Sequence, residues 1–216
     1  MSAQTDLGAT AAIRTRPSPT TAAPPPRLDA CLEGTAALHR HLCPRQVLGV
    51  RMGLHAGELL GVDLPRSDKR VLVLVETDGC LADAISVTTG CWLGHRTLRL
   101  IDHGKTAATF VDTMTGRAVR IRPQPTARIR ALDHVPDAPD RWHAQLEGYR
   151  IMPTAELLDA GPVTLTFDLE AMRSRPGKRA VCAKCGEDVI NEREVIRDAR
   201  TLCRACAGDR YYRSMG

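Results

Sequence analysis

From residue 28 onward the apolar positions keep a helical rhythm. In LDACLEGTAALHRHL, Leu28, Leu32, Ala36 and Leu38 are among the apolar residues at helical spacing. The chain turns at Pro44, a residue that a helix accepts in its first turn. A second helix is predicted over QVLGVRMGLHAGELLG, stopped by Gly61. The period then changes. RVLVLVET is a continuous run of β-branched residues and leucines, too short for a lone helix, and predicts a strand buried on both faces. CLADAISVTTG returns to helix, with Cys80 at its start and Gly90 at its end. TLRLID, TAATFVD and RAVRIRP predict three strands, the last two joined by the glycine-containing loop TMTG as a hairpin. Beyond Pro123 and Pro125, PDRWHAQLEGYRIM and PTAELLDA read as helices, with Pro139 and Pro153 in their first turns, and PVTLTFDL as a final strand. Strands and helices alternate irregularly and hairpins are present, which predicts an α+β core of helices packed on a mostly antiparallel sheet. No internal repeat is visible.

Length and composition add boundaries to this picture. The chain has 216 residues, enough for one medium domain and a small appendage. Residues 1–27, rich in Ala, Thr and Pro, predict a disordered tail. Residues 28–172 form the core, 173–181 a basic linker, and 182–216 a separate small domain. Aromatics make up 3% of the chain, so the core must be aliphatic. No apolar run approaches the roughly 20 residues that cross a bilayer, and no apolar stretch follows a basic start as in a secretory signal. A cytoplasmic protein with no membrane partner is expected. In that reducing setting the eight cysteines favour metal binding or chemistry over disulfides.

The C-terminal CAKCGEDVINEREVIRDARTLCRAC carries the strongest chemical signal. Cys182 and Cys185 form one CxxC, Cys203 and Cys206 another, with seventeen residues between the pairs. Four thiolates on two such turns match the tetrahedral coordination of Zn²⁺, and so short a segment would draw much of its folding energy from the metal. Residues 173–216 hold 11 Lys/Arg against 6 Asp/Glu, whereas residues 1–172 hold 19 of each. The Zn²⁺ centre with its four thiolates adds −2 and leaves the tail only about +3. That is a weak footprint for nucleic acid, so a docking or structural role for the ribbon ranks ahead of nucleic-acid binding.

Cys43 and Cys80 each stand at a predicted helix start, where the helix dipole favours a thiolate. His41, two residues before Cys43, can converge on the same point. One imidazole and two thiolates make a reasonable set for Zn²⁺ or another borderline metal, with a position left for water or substrate. Asp83, one turn after Cys80, is placed to orient a ligand histidine. The competing reading is that these cysteines simply fill space in the core.

Four stretches, LHRHLCPRQVLGVRMG, ETDGCLADAISVTTGCWLG, DHGKTAATF and YRIMPTAELLDAGPVTL, resemble the FmdE-like family, named after a component of formylmethanofuran dehydrogenase. Its pattern runs H-G-H-x-C-P-G, then C-x-x-D-A-I-Q and G-C-T-x-G, then D-Y-G-K, and the resemblance covers about residues 30 to 170. His39, His41 and Cys43 match its first motif, Cys80 and Asp83 the second, Cys91 the later cysteine, and Gly104 and Lys105 the last. Arg40 and Arg45 stand in place of glycines, Ser86 in place of glutamine, Trp92 in place of threonine and His103 in place of tyrosine. The resemblance implies a core site drawn from His39, His41, Cys43, Cys80, Asp83 and Cys91, holding a metal or ligand. It also implies a homodimer, and an accessory role beside a redox enzyme of molybdenum- or tungsten-dependent formyl or formate chemistry. Two alternatives stay open: an enzyme that uses the core cysteines itself, and a zinc-ribbon regulator that touches nucleic acid.

Overall fold

The computed structural model describes residues 26–173, 177–213 and 215. The Ala/Thr/Pro-rich stretch lies outside the described residues as far as residue 25, and helix α1, Pro26–His39, opens directly after it. Leu28 and Leu32 of α1 are buried. Helix α2, Pro44–Leu60, is the centre of the core, with eleven of its seventeen residues buried. It packs on α1, on α3 (Cys80–Thr89) and on α5 (Arg141–Ile151). Glycine makes the α2–α3 contact close. A Cβ on Gly49 would lie 2.7 Å from both the Ala84 Cβ and the Leu81 carbonyl oxygen, and one on Gly53 would lie 2.7 Å from the Thr88 methyl.

The helices lie on a five-stranded sheet of order β2-β1-β3-β4-β5. Its strands are β1 (Val71–Val75), β2 (Leu98–Leu100), β3 (Ala108–Asp112), β4 (Ala118–Pro123) and β5 (Leu158–Pro162). β1 and β2 run parallel, and every other neighbouring pair runs antiparallel. The period-2 geometry of a strand sends Val71, Val73 and Val75 to the helical layer, with Phe110, Val119 and Ile121 beside them. Leu72, Leu74, Val111 and Ala118 point to the opposite face, where Leu165, Leu169 and Met172 cover them. β1 is therefore buried on both faces, as its unbroken apolar run predicts.

Two carboxylates hold the sheet's ends. Asp112, 1% exposed, takes both arms of Arg70 at 3.1 Å and caps the β3–β4 turn through the Met114 N–H and the Thr115 hydroxyl. Glu76 takes Arg120 at 2.6 and 2.7 Å. Its carbonyl accepts from the backbone of His103 and Lys105 and so fixes the 102–105 loop. On the helical side, the Arg51 guanidinium donates to the carbonyls of Tyr149, Arg150 and Met152 and locks α2 to the end of α5.

The late part of the core departs from the sequence expectation. After Pro153 the helix lasts one turn (α6, Thr154–Leu157). Leu158–Pro162 is extended because the free edge of β4 supplies its backbone partners, from Pro123↔Leu158 to Val119↔Pro162. Residues 163–168, expected as strand, form none and lead into a short helix α7, Leu169–Arg173. Helix α4, Ala127–His134, buries only the small side chains of Ala127 and Ala131. It is held by close packing of Ala131 on Gly148, where an added Cβ would lie 2.9 Å from the Ala131 methyl.

The C-terminal unit is two small hairpins, β6–β7 (Arg179–Val181, Asp188–Ile190) and β8–β9 (Val195–Arg197, Arg200–Leu202). Its small core is Cys182, Val189 and Leu202. The Arg96 guanidinium of the core lies 3.3 Å from the Asn191 side-chain oxygen. Among the described residues no helix is long and apolar enough to cross a membrane.

Candidate functional site

Cys182 and Cys185 sit on the turn after β6, and Cys203 and Cys206 on the turn after β9. Both turns close by the same hydrogen bond, Gly186 N–H to the Cys182 carbonyl and Ala207 N–H to the Cys203 carbonyl, each 2.9 Å. The two hairpins bring all four sulfurs within 4.8 Å of one another, with Cys185 and Cys203 at 3.9 Å. Tetrahedral Zn–S bonds of about 2.3 Å imply sulfur separations of about 3.8 Å, so the set fits the metal. Its electrostatics need one. Backbone N–H groups of Cys185, Cys203 and Lys184 hold the Cys182 thiol down to about 6. Cys185 accepts from the Glu187 N–H, yet the Cys182 thiol, burial and the other two sulfurs push it up to about 12. Without a cation the cluster cannot hold four thiolates; Zn²⁺ supplies the missing charge.

The core residues divide into three places. Cys43, ahead of α2, and Cys80, first residue of α3, meet at the wall of a cavity of about 720 Å³. Both cysteines line that wall. Buried Gln46 positions the first of them: its side-chain oxygen accepts from the Cys43 N–H at 2.6 Å, and its amide donates to the Thr35 carbonyl. The helix dipole predicts a lowered pKa at Cys80. The structure reverses this, because burial and the adjacent Cys43 sulfur disfavour the thiolate more than Arg45 favours it.

His39, at the end of α1, turns to Asp83, with Nε2 at 2.5 Å from Oδ2. His41 is exposed, and its Nδ1 donates to the His39 carbonyl at 2.9 Å, which leaves Nε2 as its lone-pair nitrogen. Among the described residues only the ribbon gathers three or more His, Cys, Asp or Glu ligand atoms within 4.8 Å; no third such residue joins Cys43 and Cys80 at that range. Asp83, Ser86 and Trp92 line a second, smaller hollow of about 270 Å³. Cys91 is in neither. It is 1% exposed, its Sγ faces the Val71 carbonyl at 3.3 Å, and burial pushes its pKa up. Gly104, with φ 62°, forms the bend of the 102–105 loop, and Lys105 is exposed.

Much of the large cavity comes from residues with no motif to mark them. Trp142, Gln145 and Tyr149 of α5 line it together with Arg128 of α4. The spacing of the three α5 residues, i, i+3 and i+7, places them on one helix face, and that spacing is the signal the sequence carries for them.

The FmdE family, described as molybdenum formylmethanofuran dehydrogenase operon, matches residues 38–159. The prokaryotic dksA/traR C4-type zinc finger matches residues 176–212. A crystal structure of a tungsten formylmethanofuran dehydrogenase FmdE-like protein from Syntrophus aciditrophicus shares the fold, with a TM-score of 0.52 and 23% identity over 86% of this chain and 94% of that one. A probable S-adenosyl-L-methionine-binding protein of Archaeoglobus fulgidus is 38% identical over 101 residues; the match spans 45% of this chain but only 28% of that protein. With its α+β core matched over more than half the chain and its four-cysteine finger matched beside it, the protein belongs to the FmdE family and carries a C-terminal C4 zinc finger.

Proposed function

We propose that this chain is a metal-binding accessory protein. Its ribbon is a structural zinc module, and its core cavity receives the functional ligand. Cys43 and Cys80 would hold a second metal at the cavity wall, with His41 Nε2 as a third donor on a small rearrangement of its exposed loop. That metal would supply a Lewis-acidic centre with open positions. The chain's own residues do the positioning: Gln46 fixes Cys43, the α3 start presents Cys80, and the His39–Asp83 pair braces the loop that carries His41. The family description and the name of the Syntrophus protein support a link to molybdenum- or tungsten-dependent formyl or formate chemistry in a redox-enzyme partner. We further propose that the protein acts as a homodimer. The S-adenosylmethionine of the Archaeoglobus protein is not carried over, because only 28% of that protein is matched.

The observation that carries the reading is the pairing of Cys43 and Cys80 on a ligand-sized cavity. Its test is metal content per chain in the intact protein, in a Cys182→Ser/Cys185→Ser variant and in a Cys43→Ser/Cys80→Ser variant. Two metals, one lost with each pair, support the reading. One metal, lost only with the ribbon pair, overturns the core metal site.

A further inference from the structure

We infer that the cavity beside Cys43 and Cys80 binds an organic anion, its carboxylate or phosphate held between Arg45 and Arg128 and its flat apolar body against Trp142. The inference deepens the proposed function by naming a ligand class for the same cavity. It rests on that cavity being the functional site, though not on a metal being there.

Four helices begin at the cavity wall. Pro44 and Arg45 open α2, Cys80 opens α3, Ala127 and Arg128 open α4, and Trp142 lies in the first turn of α5. Each helix start carries roughly half a positive charge, so four starts at one hollow give it a positive potential before any side chain is counted. The α4 start has neither a side-chain cap nor an acidic residue in its first turn, whereas Asp83 stands in the first turn of α3 and the Asp140 carboxylate caps α5.

The two arginines reinforce this potential where the helices themselves disfavour a cation. Both are the second residue of their helix, and neither α2 nor α4 has an acidic residue in its first turn. Some core arginines are held by carboxylates, as Arg70 is by Asp112 and Arg120 by Glu76, and others by backbone carbonyls, as Arg51 is. Among the described residues neither Arg45 nor Arg128 has an ion pair. No Asp or Glu lines the cavity. Two arginines on a hollow with no acidic lining leave a positive charge that a bound anion can offset.

The remaining lining fits the body of such a ligand. Trp142 is 45% exposed and presents its ring, Leu48 and the two prolines 123 and 125 are apolar, and Gln124 and Gln145 offer neutral hydrogen bonds. A volume of about 720 Å³ lies within the range of small-molecule sites. A guanidinium pair suits a planar or tetrahedral oxyanion, and Trp142 suits a ring.

The test is calorimetric titration of the full chain with phenyl phosphate, benzoate and the neutral benzyl alcohol. At least one anion is expected to bind one per chain, more weakly as salt is added, with benzyl alcohol binding at least tenfold more weakly. Preference for phenyl phosphate assigns the site to phosphates, and preference for benzoate assigns it to carboxylates. Arg45→Gln and Arg128→Gln are each expected to weaken binding about tenfold, and Arg45→Lys to restore most of it. Both arginines are exposed, so these variants should fold, and thermal melting checks that they do. Absence of anion binding at millimolar concentration, equal binding of benzyl alcohol, or binding unchanged in both glutamine variants overturns the inference. Anion binding that persists in the Cys43→Ser/Cys80→Ser protein supports it whatever the metal content. A second metal found in a protein that binds neither anion overturns this inference alone and leaves the metal reading standing.

Discussion

His39 Nε2 lies 2.5 Å from Asp83 Oδ2 and so ties the last residue of α1 to the first turn of α3. The two rings of His39 and His41 meet edge to face with centroids 5.7 Å apart, and the His41 Nδ1 donates to the His39 carbonyl. One interaction therefore sets the posture of both histidines ahead of Cys43. The contact belongs to the brace around the cavity rather than to its wall.

The brace should show as coupling. His39→Ala and Asp83→Asn are each expected to lower stability by about 0.5–1 kcal/mol, since the pair is only partly buried. The double variant should lose little more than either single one. A double-mutant cycle by denaturant unfolding checks this; fully additive losses would show that the two residues do not act on each other.

Removing the ribbon's metal should unfold the ribbon and spare the core. Its own apolar cluster is three residues, so without Zn²⁺ it has little to fold around. In the Cys182→Ser/Cys185→Ser variant, one zinc per chain should be lost, and amide protection should vanish over β6–β9 while β1 and β3 keep theirs. Hydrogen exchange read by mass spectrometry separates the two regions.

Acid should destabilise the core through two carboxylates. Arg120 beside Glu76 and Arg70 beside Asp112 hold both carboxyls below their ordinary values of 4.5 and 3.8. A depressed folded-state pKa contributes stability that is fully present above the unfolded value and is lost as pH falls through the folded one. The melting temperature should thus be flat above about pH 5 from these two groups and fall below about pH 4.5. Glu76→Gln should cost about 2 kcal/mol at neutral pH by leaving Arg120 with a neutral acceptor, and it should flatten part of the acid limb.

The α2–α3 contact has no room for a methyl group. A Cβ at position 49 would press on the Leu81 carbonyl and the Ala84 methyl, neither of which can swing away. Gly49→Ala should therefore destabilise by about 1–3 kcal/mol, despite alanine's better helix propensity. An unchanged denaturant midpoint would show that the two helices separate freely.

The parts legible in the sequence were those set within a few residues of chain. The two CxxC turns specify their knuckles locally, and the structure brings the four sulfurs together. Gly61 and Gly90 end α2 and α3 in the left-handed conformation that a side chain resists. The apolar run of β1 announced a strand covered on both faces. The first helix, the second and the β3–β4 hairpin follow the same local logic of period and turn.

Tertiary structure decided what depends on distant partners. Leu158–Pro162 became a strand because β4 offered an edge, overriding a helical pattern that Pro153 had started. Cys43 and Cys80 came together because α2 and α3 pack start to start, whereas Cys91, equally marked by motif, went into the core beneath β1. Burial turned the expected lowering of the Cys80 pKa into a rise. The cavity draws its wall from four helix starts scattered between Cys43 and Trp142, and no window along the chain contains them together. Backbone preference and turn chemistry act over a few residues and can be read from the sequence; burial, pairing and the summed field of several helices act through space and exist only once the chain has folded.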